Sequence, residues 1–311
     1  MLLETHDLHV RFSTQNGALH AVDGVSLGVG RGESVGLVGE SGCGKSTLAK
    51  AVLRLLPVAA GRVLFDGQDV GTLSARDLQP LRRRMQIVFQ DPFGSLNPRH
   101  TVESILTAPL VVHGLGDRQE RRRRVEEIVG QVGLSSSALS RYPHEFSGGQ
   151  RQRIGIARAL ILKPDLVICD EPVSALDLSI QAQILNLLVG MKRALGLSYL
   201  FISHDLSVVR FISDRVLVMY LGRIVESAAG DDLWQAPLHP YTRALMQAVP
   251  DPARRRQAPA LSGDLPSPEN VPPGCRFHPR CPLATEICRR QDPAFRELRP
   301  QHAVACHHAE A

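Results

Sequence analysis

A glycine-rich loop that ends in a lysine and a hydroxyl residue is the first segment whose composition could do chemistry. It matches the pattern G-x-x-x-x-G-K-S/T, and its residues are Gly39, Glu40, Ser41, Gly42, Cys43, Gly44, Lys45, Ser46 and Thr47. Glycines let the backbone turn its N–H groups onto phosphate oxygens, and a following helix adds the positive end of its dipole. We therefore predict that this loop binds a nucleotide triphosphate, with Lys45 on the β- and γ-phosphates and Ser46 on Mg2+. The simpler alternative is a turn without a ligand.

Two adjacent carboxylates end an apolar run later in the chain. Residues 166–169 are Leu-Val-Ile-Cys, which predicts a central strand, and Asp170 and Glu171 follow at its carboxyl end. Open α/β sheets place their ligands at this end of their strands. We expect Asp170 to hold Mg2+ and Glu171 to polarise an attacking water. An ordinary strand ending in an acidic loop is the alternative when this run is considered alone.

The elements that must position these residues are those of an α/β protein. Residues 34–38 predict a buried strand that leads into the glycine-rich loop, and residues 46–56 predict a helix that Pro57 ends. The pair Asp66-Gly67 predicts a tight turn between two antiparallel strands. Strands therefore alternate with helices in this part of the chain.

A helical region follows. Residues 102–112, residues 118–132 and a segment that begins at Gly148 have helical patterns. Residues 165–226 then return to alternating strands and helices.

A second glycine pair begins the last of these helices. Phe146 is followed by Ser147, Gly148, Gly149 and Gln150, and this run closely resembles the signature sequence of ATP-binding cassette (ABC) ATPases. Phe146 replaces the commoner leucine, but it retains an apolar side chain. The resemblance implies an α/β fold with a P-loop ABC ATPase core, an antiparallel β subdomain and an α-helical subdomain.

Further positions resemble the motifs of this family in the expected order. Gln90 resembles the glutamine loop, residues 174–177 the D-loop, His204 the switch histidine and Phe12 the aromatic residue that stacks on adenine. The resemblance implies catalytic roles for Glu171, His204, Gln90 and Lys45, and it adds Gln90 to Ser46 and Asp170 as Mg2+ ligands.

The residues alone leave alternatives at these positions. Asp177, which the resemblance places at the nucleotide, could instead cap the helix that begins near Leu178. His204 could be a structural histidine, Gln90 a solvated residue, and Phe12 a sheet residue, which is the interpretation its own surroundings favour.

The signature segment also predicts a partner. Ser147, Gly148 and Gly149 lead into a helix, so their N–H groups form a second anion site. The resemblance implies that the phosphate at this site belongs to a nucleotide held by a second ABC ATPase subunit, for which a paralogue is favoured. The chain shows no internal repeat that would supply a second cassette.

The C-terminal segment differs in composition from the rest of the chain. Eleven of the 21 prolines and four of the six cysteines fall in the last 62 residues. Residues 239–245 and 274–282 closely resemble the C-terminal extension of the oligopeptide/dipeptide-import ATPases. We therefore predict an ABC ATPase domain over residues 1–250, with its helical subdomain over about 91–160, and a Cys/Pro-rich extension over residues 251–311.

This second resemblance implies a function and a set of partners. The chain would hydrolyse ATP to energise peptide import through two transmembrane permease subunits and an extracytoplasmic solute-binding protein. A nickel or glutathione importer, a soluble ABC ATPase acting on nucleic acid or ribosomes, and a redox-sensing protein are the alternatives. The segment of residues 91–99 would contact a permease through Phe93 and Leu96, unless these side chains fold inward.

Four cysteines in the extension could bind a metal. Cys275, Cys281, Cys288 and Cys306 form the ligand set of a four-iron four-sulfur (4Fe-4S) cluster, which similar extensions in this family carry. Structural zinc and free thiols are the alternatives. Disulfides are disfavoured, because no export signal is recognised.

Charge and hydropathy predict a cytoplasmic protein, and the resemblance to importer ATPases implies a peripheral position at the cytoplasmic side of the cell membrane. The chain has 311 residues and a net charge of +5, but its densest basic run, residues 121–124, lies among acidic residues on a predicted helix. A solvated helical face is therefore preferred to nucleic-acid binding. We expect neither a signal peptide nor a transmembrane segment, since no apolar run approaches 18 residues.

Overall fold

The structure is a computed structural model that describes residues 1–14, 17–248 and 266–310. These residues form two compact units. The first contains the described residues of Met1–Val29, Ser34–Gly71 and Phe201–Ala311, and the second contains Gly30–Glu33 and Thr72–Leu200.

The secondary structure is mixed α/β, as predicted. The strands are β1 Leu3–Thr14, β2 Gly17–Val29, β3 Ser34–Val38, β4 Ala60–Phe65, β5 Gln68–Asp69, β6 Met85–Val88, β7 Leu166–Asp170, β8 Ser198–Ser203, β9 Arg215–Tyr220, β10 Arg223–Ala229, β11 Arg296–Arg299 and β12 His302–Val304. The α-helices are α1 Lys45–Val52, α2 Ala75–Arg84, α3 Pro92–Ser95, α4 Val102–Val112, α5 Arg118–Gln131, α6 Gly148–Leu160, α7 Leu178–Leu195, α8 Leu206–Ile212, α9 Gly230–Gln235, α10 Pro240–Ala248 and α11 Glu286–Arg290. Short 3-10 helices cover Ser136–Ser140, Pro143–Glu145 and His278–Arg280.

The first unit contains an antiparallel sheet in the order β2-β1-β4-β5. The predicted turn between β4 and β5 is confirmed, because Phe65 pairs with Gln68 across two residues with positive φ, Asp66 at 52° and Gly67 at 78°. Two successive left-handed residues are what a two-residue hairpin turn requires.

The first unit also places the glycine-rich loop at the end of a buried parallel strand. Strand β3, buried along its whole length, pairs in parallel with β9, so that Val35 faces Arg215 and Val38 faces Val218. Strands β10, β12 and β11 extend this sheet in antiparallel fashion beyond β9. The loop therefore leaves the carboxyl end of a central strand, where α/β sheets hold their ligands.

The second unit combines a parallel strand pair with a helical region. Strand β6 pairs with β7, and Val88 faces Cys169, so both strands end on the same side. Helices α4, α5 and α6 contact one another and bury an apolar core. The buried side chains on these helices include Val102, Leu106, Leu110, Val125, Ile154 and Ile156.

Several boundaries can be compared with the sequence predictions. Helix α4 matches its predicted range, whereas α1 ends at Val52 rather than at residue 56. The reason is a left-handed Arg54, with φ of 52°, whose guanidinium donates to the Val70 carbonyl at 3.2 Å. The domain boundary predicted at residues 250 and 251 lies outside the described residues and stays a prediction. No helix within the described residues is both long and apolar enough to cross a bilayer.

Candidate functional site

The glycine-rich loop leaves the start of α1 without a side-chain cap. The N-cap residue is Gly44, whose φ is 109° and which has no side chain to cap the helix. A Cβ at Gly44 would lie 2.1 Å from the Ala21 carbonyl oxygen, so only glycine fits there. A Cβ at Gly42 would meet no described atom within 4 Å, which leaves open space above the loop. A helix start whose N-cap residue has no side chain, beside open space, suits an anion.

Lys45 is held by the loop itself. Its side chain is buried, and Nζ donates to the carbonyl oxygens of Gly39 at 2.7 Å and Glu40 at 2.9 Å. A buried ammonium group needs such partners, because desolvation disfavours its charge. Phosphate oxygens could replace both carbonyls, so the donor set fits a triphosphate.

The second unit brings the glutamine and the two acids together. Gln90 Nε2 donates to Glu171 Oε2 at 3.0 Å, and both Asp170 and Glu171 are buried. Glu171 has a φ of 47°, a left-handed conformation that is strained for a residue with a side chain. The parallel pairing of β6 with β7 explains this meeting, since Gln90 and Glu171 follow the ends of these neighbouring strands. Carboxylate and amide oxygens suit Mg2+.

The signature segment closes on itself at the start of α6. Ser147 is the N-cap, its Oγ accepts from the Gln150 N–H at 3.4 Å, and Gln150 Oε1 accepts from the Ser147 N–H at 3.0 Å. This reciprocal pair is a capping box. Ser147 and Gln150 are thus structural partners whatever further role they have.

Gly149 is required by packing, which the sequence did not reveal. A Cβ at Gly149 would lie 2.5 Å from Ile180 Cγ2 on α7, whereas a Cβ at Gly148 would lie 3.4 Å from Leu176 Cδ2. The first distance is a clash and the second an ordinary contact. Gln152, buried on the same helix, has a side-chain amide nitrogen without a hydrogen-bond partner among the described residues.

Three other predicted site residues lie at element ends or edges. Asp177 is the N-cap residue of α7, but its side chain makes no capping hydrogen bond within the described part of the chain. His204 directly follows β8 and is exposed. Phe12 faces Leu19 across the β1–β2 pair and is 37% exposed, so it is not a buried sheet residue. The catalytic and nucleotide roles of these residues stay predictions.

The segment predicted to contact a permease divides its apolar side chains between surface and core. Phe93 is 62% exposed and lies under the Arg151 guanidinium, 3.9 Å from ring centroid to Cζ, whereas Leu96 is buried. Arg158 donates to the Ser95 carbonyl and fixes the same segment to α6. One of the two side chains therefore remains available for contact, and it touches the signature helix.

Comparison with known proteins agrees with these motifs. Residues 22–174 match the family model described as ABC transporter, and residues 225–288 match the model described as Oligopeptide/dipeptide transporter, C-terminal region. The Oligopeptide transport ATP-binding protein AppF of Bacillus subtilis is 54% identical over 95% of this chain and 92% of AppF. The chain belongs to the ATP-binding subunits of the oligopeptide/dipeptide ABC transporters.

Other similar proteins support the same membership. The Oligopeptide transport ATP-binding protein OppF of Salmonella typhimurium is 51% identical over 98% of this chain and 96% of OppF. Among solved structures, the ATP-binding cassette MJ0796, described as dimeric in a post-hydrolysis state with ADP and Pi, is similar with a TM-score of 0.67. It is 28% identical, and the match covers 73% of this chain and 98% of MJ0796. This transporter ATP-binding subunit is therefore an ATPase with the ABC fold.

The predicted 4Fe-4S cluster is wrong. Within residues 1–14, 17–248 and 266–310, no group of three or more His, Cys, Asp or Glu side chains is arranged to hold a metal, which also removes the zinc alternative. Cys275, Cys281, Cys288 and Cys306 are free thiols in this structure. Burial raises the pKa of Cys275 to about 11 and also raises the pKa values of Cys281 and Cys306. Metal sites need thiolates, and these surroundings favour the neutral form.

The side chain of Cys288 is engaged by its neighbours instead. Its Sγ lies 3.7 Å from Thr285 Oγ1 and 3.4 Å from His308 Nε2. The sequence predicted that a metal holds the extension together, but its described residues make ordinary side-chain contacts within the first unit. They include Phe277, which packs edge-on against Tyr220 at 5.3 Å between ring centroids.

Sequence reasoning also missed residues that contact the phosphate loop from the C-terminal part of the chain. Tyr241 Oη accepts from the Glu40 N–H at 2.8 Å, and Arg280 binds the Glu40 carboxylate. The only signal in the sequence was their place in residues 239–245 and 274–282, the two segments that resemble the family's extension.

Proposed function

We propose that this ATPase energises the import of peptides as a subunit of a membrane transporter. The observation that carries the proposal is the joint presence of a cassette and the peptide-transporter C-terminal region in one chain. AppF and OppF, which are named oligopeptide transport ATP-binding proteins, match nearly the whole chain. This continuous similarity favours peptides over nickel or glutathione, and it favours transport over action on nucleic acid or ribosomes.

The phosphate loop would bind ATP. Lys45 would exchange its two carbonyl partners for phosphate oxygens, and the backbone N–H groups at the start of α1 would donate to the same phosphates. Phe12, which is exposed near the end of β1, would stack on the adenine. Ser46 would contribute its hydroxyl to Mg2+, whose charge would offset that of the phosphates.

Hydrolysis would depend on the residues that meet in the second unit. Asp170 and Gln90 would complete the Mg2+ ligands, and Glu171 would accept a proton from the attacking water. The Gln90–Glu171 hydrogen bond supports this division of labour, because the amide nitrogen faces Glu171 and leaves the amide oxygen for another partner. His204 would donate to the γ-phosphate, and Asp177 would couple the two nucleotides of a dimer.

Two cassettes would be needed for one cycle. The signature residues Ser147, Gly148, Gly149 and Gln150 would bind the γ-phosphate of a nucleotide held by a second ATP-binding subunit, for which we propose a paralogue. ATP would then join the two subunits, and hydrolysis would separate them. Two permease subunits would transmit this movement at the cytoplasmic face of the membrane, with Phe93 at the contact, and an extracytoplasmic protein would supply the solute.

Purification from membranes tests this proposal. The tagged full-length chain should recover two polytopic subunits and a second ATP-binding subunit, and vesicles holding that complex should accumulate a labelled tetrapeptide only with ATP. Recovery of ribosomes or nucleic acid without polytopic subunits would refute transport. Uptake of a nickel chelate or glutathione in place of the peptide would refute the proposed solute.

A further inference from the structure

Glu40, the second residue of the phosphate loop, is bound at its backbone and at its side chain. Its N–H donates to Tyr241 Oη at 2.8 Å, and its carbonyl oxygen accepts from Lys45 Nζ at 2.9 Å. Its carboxylate receives both terminal nitrogens of Arg280, at 2.7 and 3.0 Å. Two of these partners, Tyr241 and Arg280, come from the C-terminal part of the chain, about 200 or more residues away.

The Arg280–Glu40 pair has the geometry of a strong interaction. The guanidinium matches the two carboxylate oxygens as a fork, and the Arg280 side chain is 4% exposed while that of Glu40 is 27% exposed. The hydrogen bond to Glu40 is the largest reason why the pKa of Arg280 lies above its ordinary value. Bidentate pairs fix orientation as well as distance, so this contact restrains the start of the loop.

The segment that carries Arg280 is itself anchored beside the loop. Arg276 donates to the Leu221 carbonyl and pairs with Asp23. The next residue after Leu221, Gly222, donates its N–H to the Cys43 carbonyl within the phosphate loop at 2.9 Å. The extension thus reaches the loop by two routes, through Glu40 at its start and through the backbone beside Cys43.

A cluster of aromatic rings also connects the extension to the phosphate loop. Phe277 lies 5.4 Å from Tyr241 and 5.3 Å from Tyr220 between ring centroids. Tyr241 is the residue that accepts the Glu40 N–H, and it is fully buried. Packing of Phe277 therefore sets the position of a hydroxyl that binds the loop.

We propose that Arg280 is a positioning residue for nucleotide binding, through which the C-terminal extension sets the conformation of the phosphate loop. The inference rests on the proposed nucleotide site and goes beyond it, because the proposed function gives the extension no part in binding ATP. We call the contact between Arg280 and the Glu40 carboxylate the clamp. The affinity for ATP then depends on whether this contact is formed.

The physical reason is preorganisation. Lys45 donates to the Glu40 carbonyl, so the place of Glu40 decides where Lys45 rests before the nucleotide arrives. A loop that is already ordered loses less conformational entropy on binding than a loop that must be ordered by the ligand. Opening the clamp should therefore weaken ATP binding without changing the chemistry of hydrolysis, since Arg280 acts through Glu40, to which no role in hydrolysis is assigned.

The test measures Mg-ATP affinity and turnover of the full-length chain. Arg280→Gln should raise the Kd and the KM for Mg-ATP by about tenfold with kcat within about twofold, a coupling typical of linked sites. Glu40→Gln should weaken binding in the same sense, and the double variant should be no weaker than the worse single variant. Arg280→Lys, which keeps the charge but loses the fork, should fall between wild type and Arg280→Gln.

A matched control is available in the same extension. Arg290 is 75% exposed and forms a salt bridge with Glu286 on its own helix, at 2.7 Å, so Arg290→Gln should bind Mg-ATP as wild type does. An equal loss in Arg290→Gln, or additive losses in the Glu40 and Arg280 variants, would refute the clamp. Arg280→Gln removes one partner of a largely buried ion pair, which can lower stability, so Glu40→Gln and Arg280→Lys are measured beside it.

Reciprocity provides a readout that a purely structural role would not move. If the clamp sets ATP affinity, ATP must in turn stabilise the clamp. Backbone amides of residues 275–281 should exchange hydrogen more slowly when Mg-ATP is added to wild type, and this protection should be lost in Glu40→Gln. Unchanged exchange in wild type would overturn the inference.

Lys45→Ala separates this inference from the proposed function. If Lys45→Ala loses Mg-ATP while Arg280→Gln keeps wild-type affinity, the clamp is refuted and the nucleotide site stands. If Lys45→Ala binds Mg-ATP normally, the nucleotide site itself is refuted.

Discussion

The phosphate loop and the signature segment are both glycine-rich entries to a helix, yet they treat their helix ends differently. The N-cap of α1 is Gly44, and no side chain among the described residues caps this helix. The N-cap of α6 is Ser147, which exchanges hydrogen bonds with Gln150. The first N-cap residue has no side chain to bond the helix end, whereas the second helix end is partly satisfied by the Ser147–Gln150 capping box.

Two glycine-rich segments can therefore support the start of a helix in different ways. The N-cap residue of the phosphate loop, Gly44, has no side chain, and the loop is bound by distant residues such as Tyr241. The signature segment is stable by itself and presents N–H groups on a rigid support. The first arrangement suits a loop that would bind the nucleotide, and the second suits a segment that would contact the nucleotide of a second subunit.

The largest expected effect separates binding from hydrolysis. Glu171→Gln should lower the ATPase rate by about 100-fold or more, because the water loses its proton acceptor, while Mg-ATP remains bound at the phosphate loop. A filter-binding assay measures the retained nucleotide, and a phosphate-release assay measures the ATPase rate. Glu127→Gln, which changes an exposed carboxylate on α5, is the control and should match wild type. Undiminished turnover in Glu171→Gln would remove Glu171 from the mechanism.

Acid pH should act on the support of the phosphate loop. Burial lowers the pKa of His239 to about 4, and its neutral Nδ1 accepts from the N–H of Tyr241 at 3.0 Å. The folded state binds fewer protons than the unfolded state, so the stabilisation is complete above the ordinary pKa of 6.5 and is lost as pH falls towards 4. The loss should reach about 3 kcal/mol, since one pKa unit corresponds to about 1.4 kcal/mol.

Urea unfolding at a series of pH values measures this loss. His239→Asn retains an acceptor for the helix start but cannot titrate, so its unfolding free energy should fall less between pH 6.5 and 4. His6→Asn, an exposed histidine, should keep the wild-type profile. Identical profiles for wild type and His239→Asn would contradict this role.

The two glycines of the signature segment should differ. Gly149→Ala should lower the free energy of unfolding by about 1–3 kcal/mol, because its Cβ would overlap Ile180, whereas Gly148→Ala should be tolerated. Denaturant unfolding compares the two, and Gly149→Ala combined with Ile180→Ala should relieve the overlap. Equal effects of both substitutions would show that packing against α7 does not decide this position.

The smallest effect tests whether the signature serine does more than cap a helix. Ser147→Ala should cost about 1 kcal/mol of stability through loss of the N-cap. Ser147→Asp should restore that stability, because Asp caps equally well, but its negative charge should still impair hydrolysis. Thermal unfolding and ATPase assays measure the two effects, and full activity of Ser147→Asp would limit Ser147 to capping.

Much of the local structure could be predicted from short stretches of sequence. Strand β3, helix α4 and the Asp66-Gly67 turn follow from apolar periodicity and turn residues, which act over a few neighbouring positions. The early end of α1 could not be predicted, because a left-handed Arg54 is held by the Val70 carbonyl, which directly follows β5.

The cysteine prediction failed for a related reason. Four cysteines in a proline-rich segment show which thiols could bind a metal. They do not show whether the four side chains meet at one point or are ionised. Burial around Cys275 and the contacts of Cys288 with Thr285 and His308 arise only after folding.

The sequence by itself determined the order and the residue types of the motifs, since each motif is a contiguous run whose backbone is governed by its own glycines and caps. Only the tertiary structure decided which distant groups meet. Arg280 and Glu40 are 240 positions apart and form a fork, and Gly149 is needed because Ile180 lies 2.5 Å from the place of its missing Cβ. Such contacts depend on how the whole chain packs, and no local pattern encodes a distance across that many residues.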